Sequence, residues 1–199
     1  MDVSEFKRIC INHEPDLVVQ KFLIDGPSYY FEKVQFGDEF EFKKEIANIL
    51  KVHIRDIVIV GSGKLGFSLK PATPGLYLFK KFDYNYDLNN ESEKSDLDIA
   101  IVSSNLFDKE IENLFNHTGS YKNFTGTERN DFAKYSLKGR FIINYLPKDF
   151  PLSEDVNNVQ NKYKMKYGRD INLEIYKSWH FFETYHKSNL FNIKLNLLK

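Results

Sequence analysis

The sequence predicts an α/β (α+β) fold, a short mixed sheet flanked by helices, and three observations carry that expectation. A β-branched run, Ile57-Val58-Ile59-Val60, is closed by Gly61 and reads as a buried strand. A second run, Ser95 to Val102, reads as a strand that carries Asp96 and Asp98. Between and beyond these lie segments with apolar residues at helical spacing, followed by two more strand-like runs.

At 199 residues and 42% hydrophobic content, one domain over 1–199 is expected, with N-terminal and C-terminal helical elements packed on the core. The formal net charge of zero implies no general attraction to nucleic acid or to an anionic membrane. A single cysteine, Cys10, excludes an internal disulfide and reads as a small core residue. It suits a reducing compartment, and with no signal peptide or membrane-spanning run the expected location is the cytoplasm.

Taken in order, Leu17, Val18, Phe22 and Leu23 suggest a short helix that stops before Gly26-Pro27. Phe42, Ile46, Ile49 and Leu50 form a helical stripe with Asp38 as its N-cap. Residues 71–95 mix Pro, Gly, Asn and charge with aromatics, and predict a long loop holding a hairpin: a lid, a partner contact or an ordinary surface excursion. Ser104 or Asn105 would cap a helix whose core stripe is Phe107, Ile111, Leu114 and Phe115. A polar loop is expected over 116–130, then a strand at Phe141-Ile142-Ile143 that ends before Pro147. Ser153 would cap a helix over Val156, Val159 and Tyr163; residues 171–176 alternate as a strand, and 179–198 read as a terminal helix.

In a strand, side chains alternate faces, so Asp96 and Asp98 point the same way while Leu97 and Ile99 enter a core. Carboxylates held so close resist joint ionisation unless a cation compensates, and hard oxygen ligands suggest Mg²⁺, with Mn²⁺ as its substitute. Such an ion takes phosphate oxygens among its ligands, and Gly61-Ser62 just upstream lets backbone N–H groups approach a phosphate. The histidines offer no zinc site: His180 and His186 lie on different sides of a helix, and the others lack a ligand pattern. Gly61-Ser62-Gly63-Lys64-Leu65-Gly66 matches G-x-G-x-x-G, yet Pro71, Pro74 and Gly75 stop the long helix that a dinucleotide site requires. A Walker A loop is excluded because Lys64 is followed by Leu65.

Gly61-Ser62 after an apolar strand, then Asp96-Leu97-Asp98, resembles the polymerase-β-like nucleotidyltransferase superfamily with its hG[GS]…Dh[DE]h pattern. The string Val60 to Pro71, with Lys94-Ser95 before the acids, is similar to small bacterial nucleotidyltransferases of antiphage defence loci. The likeness covers roughly residues 40–104, and the interval from Gly61 to Asp96 is longer than the motif's usual gap, so an inserted loop is expected. The resemblance implies a nucleotidyltransferase fold that binds a nucleoside triphosphate, ATP among the candidates. One or two Mg²⁺ ions would sit on Asp96 and Asp98, and Gly61, Ser62 and Lys64 would hold the phosphates. It also implies a third carboxylate on a later strand, for which Glu174 is the candidate between Leu173 and Ile175; a surface glutamate is the competing reading. Three functions follow: synthesis of a nucleotide signal or short polymer, serving an effector protein in defence; nucleotide transfer to a protein hydroxyl; or a degenerate nucleotide-binding module. The acceptor would accordingly be a nucleotide, a polynucleotide or a protein.

Overall fold

The computed structural model describes residues 1–35, 37–89 and 93–199. Four short strands form one mixed sheet: β1 (Ile57–Val60), β2 (Leu97–Val102), β3 (Arg140–Ile142) and β4 (Ile171–Tyr176), in the order β1-β2-β4-β3. β1 and β3 run antiparallel to their neighbours, and the central pair β2 and β4 is parallel. The fold class is therefore the expected one, with the acid-bearing strand inside the sheet.

Strand alternation gives each face its own core. Ile57, Ile59, Leu97, Ile99, Ile101, Leu173 and Ile175 look one way, onto α3 (Glu39–Leu50), α6 (Ser104–His117) and α8 (Glu154–Tyr167). Val58, Val60, Ala100, Val102 and Tyr176 look the other way, onto α1 (Val3–Asn12), the turns around Val18–Leu23 and α9 (Trp179–Leu197). The parallel pair is covered on both faces over its apolar positions, and the polar residues Asp98, Asn172 and Glu174 interrupt one face.

The caps explain the better sequence readings. Asp38 accepts from the N–H groups of Phe40 and Glu41 at the start of α3, and Phe42, Ile46 and Leu50 are buried. The sixth helix starts one residue earlier than expected, because Ser103 is its cap and accepts from Leu106 N. Its stripe ends at Leu114; Phe115 lies at the stripe's edge, half exposed against the Tyr121 ring. Where a loop over 116–130 was expected, a helix, α7 (Gly126–Ser136), begins early. Phe132 is its buried anchor, and its polar residues form a solvated face rather than a loop. In the N-terminal region, α1 is a helix that the sequence left unassigned, and α2 (Pro15–Val18) runs into a π-helical turn over Val19–Ile24.

The long 71–95 segment is tied down more than a free lid would be. Phe67 bridges Lys81, Thr73 bridges Leu76 in a tight hairpin-like turn, and a short helix, α5, covers Tyr84–Leu88. The part of that expectation falling on 90–92 lies outside the described residues. Among the described residues, no helix is long and apolar enough to cross a membrane.

Candidate functional site

The two acids sit where β1 ends and the parallel pair begins. Val60 is registered with Asp98, so the chain leaving β1 passes directly over that carboxylate. At Gly61 the backbone turns with φ +64°, and a Cβ there would lie 2.6 Å from Asp98 Oδ2. A Cβ at Gly63 would lie 2.7 Å from Leu97 Cδ1. The glycines therefore let α4 (Gly61–Leu65) pack against the acid strand, a closeness that any side chain would break.

Asp96, exposed, precedes β2, while Asp98 lies within it and is half-buried. Asn172 on β4 joins them: its Nδ2 donates to Asp96 Oδ2 at 2.9 Å and to Asp98 Oδ1 at 3.0 Å. This confirms that both carboxylates share a face. Burial pushes the Asp98 carboxyl up to about 6; the Asn172 bond opposes this, Glu174 and Asp96 add to it, and Lys70 pulls it down. An amide here does a cation's work incompletely, since it donates to two carboxylates without neutralising either.

Glu174 lies on the same face, opposite Ala100 rather than opposite Asp98. Its Oε2 accepts from Arg140 Nη2 at 2.7 Å and from the Tyr176 hydroxyl at 3.1 Å. The Arg140 side chain is 4% exposed and lies over the Tyr185 ring, 3.7 Å from its centroid. Among the described residues, no group of three or more His, Cys, Asp and Glu is placed to hold a metal ion, so Glu174 does not join Asp96 and Asp98 in a three-acid cluster. The two aspartates, with the amide between them, are a hard-oxygen set. That donor set is of the kind Mg²⁺ takes.

Lys64 lies away from the place expected of a phosphate ligand. It is 2% exposed, its ammonium donates to the Gly26 carbonyl, and burial pushes it down to about 8 against the pull of Glu39. It pins the 26–28 turn onto α4. The lysine that Asp98 senses is Lys70, which is exposed on the segment following α4. Ser62, in the first turn of α4, keeps partial exposure beside Gly61.

No family model matches the chain, and no curated protein and no solved structure matches it. Two surface clefts, of about 410 and 840 Å³, lie elsewhere, one beside Phe42 and Tyr167 and the other beside Lys43, Arg55 and Trp179; Gly61, Asp96 and Asp98 line neither. His186, its Nε2 buried and its basicity pushed down to about 3 by burial and then by Arg140, offers no acid–base group near neutrality.

Asn172, Arg140 and Lys70 were not singled out from sequence. Asn172 had a signal, because it precedes Glu174 by two in an alternating strand and so shares its face. Arg140 and Lys70 had none, since their partners are set by packing between distant segments.

Proposed function

We propose that the chain is a Mg²⁺-dependent nucleotidyltransferase, transferring a nucleoside monophosphate from a nucleoside triphosphate to an acceptor hydroxyl with release of pyrophosphate. One observation carries this reading: two carboxylates meet on one sheet face with an amide and no cation between them, against a glycine turn that excludes side chains. The mixed sheet flanked by helices is consistent with such a fold.

Asp96 and Asp98 would hold the ion, and Asn172 would turn its amide so that Oδ1, a hard ligand, faces the ion in place of Nδ2. When bound, Mg²⁺ polarises the α-phosphate and lowers the pKa of the attacking hydroxyl. Gly61 and Ser62 would present backbone N–H groups and one hydroxyl to the triphosphate, with Lys70 supplying the positive charge first assigned to Lys64. Glu174 stands two residues along β4 from Asn172, opposite Ala100, with its Oε2 held by Arg140 and Tyr176. A one-metal site of Asp96 and Asp98 is therefore preferred, and Glu174 as third ligand is kept as the alternative that its Gln variant decides.

Incubation with each labelled nucleoside triphosphate and Mg²⁺, resolved for free product and protein-linked product, tests the proposal. Free dinucleotide or polymer supports a defence-type signal or polymer synthase, and label on protein supports modification of a protein hydroxyl. A second reading has its own support: an amide stands between the acids and Glu174 is neutralised by Arg140, as in a nucleotide-binding module without catalysis. Nucleotide binding with no product of either kind under any condition would establish it and end the transferase proposal.

A further inference from the structure

We infer that Arg169 and Asp83 are positioning residues for Asp96, acting through Ser95; the inference rests on the metal reading of Asp96 and Asp98. Asp96 is exposed and precedes the strand, so a β-ladder alone would leave it on a fraying end. The residue before it is nonetheless held by every polar group it has. Ser95 N donates to Asp83 Oδ1 at 2.8 Å, Ser95 Oγ accepts from Asp83 N at 2.9 Å, and Ser95 O accepts from Arg169 Nη1 at 2.6 Å.

The holders are themselves fixed. Arg169 meets Asp83 with both terminal nitrogens, at 3.1 and 3.0 Å, a bidentate geometry that sets orientation as well as distance. Its side chain is 3% exposed and lies against both the Tyr30 and the Phe82 rings, 5.0 and 4.8 Å from their centroids. Asp83 keeps a left-handed backbone, φ +59°, which costs a non-glycine residue energy and persists because these bonds hold it. Arg169 stands two residues before the first pair of the parallel ladder, Leu97↔Ile171. The clamp thus sets Asp96 relative to β4, the strand that carries Asn172. Residues supporting metal ligands in this way commonly change metal affinity by 10–100-fold when removed.

The test is Mn²⁺ affinity measured by electron paramagnetic resonance on folded protein, with thermal unfolding followed in parallel. Removing one member of a buried pair risks unfolding, so the informative variant is the double replacement Asp83→Leu with Arg169→Met, which removes both charges together. We expect it to stay folded and to bind Mn²⁺ at least ten-fold more weakly than the native chain. Ser95→Gly leaves the pair intact and loosens only the link; we expect a loss of about three-fold, and it carries the test if the double variant does not fold. Native affinity in Ser95→Gly, or in a folded double variant, overturns the clamp while leaving the metal reading standing. A native chain that binds no Mn²⁺ overturns the metal reading and the inference together.

Discussion

Two acidic places on one face of the sheet are solved in opposite ways. At Glu174 the carboxylate has a buried arginine and a tyrosine hydroxyl, and its charge is matched within the protein. At Asp96 and Asp98 there are two carboxylates and one amide, and among the described residues neither carboxylate has an ion-pair partner; Lys70 acts on Asp98 only from the exposed segment after α4. Fixing a charge with its own counter-ion builds structure; leaving it uncompensated, at a cost in stability, keeps a place for a ligand that brings the missing charge. This contrast is the reason the proposed function places its ligand at the aspartate end of the face.

The largest effect should come from breaking the unmatched end. Asp98→Ala and Asp96→Ala should each lower Mg²⁺-dependent transfer by a thousand-fold or more, about 4 kcal/mol in transition-state terms, without lowering the thermal midpoint in metal-free buffer. Near-native activity in either variant would remove the metal assignment. At the matched end the pattern should reverse. Arg140→Met leaves Glu174 without its cation and should cost roughly 3–5 kcal/mol in denaturant unfolding, whereas replacing both partners by apolar residues should recover most of that loss.

The pH response sharpens the same contrast. Because the Asp98 carboxyl is raised from 3.8 to about 6, the folded chain binds more protons than the unfolded chain in that window. Metal-free stability should therefore fall as pH rises from about 4 to 6, and Asp98→Asn should flatten that fall and stabilise the protein at pH 7 by up to roughly 3 kcal/mol. Unfolding curves at several pH values check it, and an unchanged slope in the variant would sink the idea.

Smaller effects separate the turn's two residues. Gly61→Ala meets both a positive φ and the Asp98 carboxylate, so it should weaken Mg²⁺-nucleotide binding more than Ser62→Ala, whose lost hydrogen bond is worth on the order of 1 kcal/mol. Equal tolerance in a binding titration would make the turn purely structural. The smallest change is expected at Glu174→Gln, with turnover within roughly five-fold of native because the amide still accepts from Arg140. A larger loss of turnover with Mg²⁺-nucleotide binding intact would restore Glu174 as the third metal ligand.

The sheet was legible because its signals are local. Ile57 to Val60 and Ile171 to Tyr176 declare themselves by β-branching and alternation, and Asp96 with Asp98 by period two. The polar α7 was not legible, since one buried phenylalanine stands among solvated neighbours. Within the site, the shared face was readable but its occupants were not. Whether Asn172 or Glu174 stands opposite Asp98 depends on a two-residue shift of the β2–β4 register, which keeps the same face and which no local pattern encodes. Lys64 misled because a lysine after a glycine turn suggests phosphate, and only packing shows that its ammonium is consumed by Gly26.

The parallel pairing of β2 with β4 also governs when the site comes into being. Asp98 and Asn172 are 74 positions apart, and contacts over such separations form late because loop closure must be met first. On a ribosome the acids emerge well before the strand that sets their spacing. A half-made chain thus carries both carboxylates without the amide that joins them, and under the proposed function it would consume no nucleotide until β4 has docked.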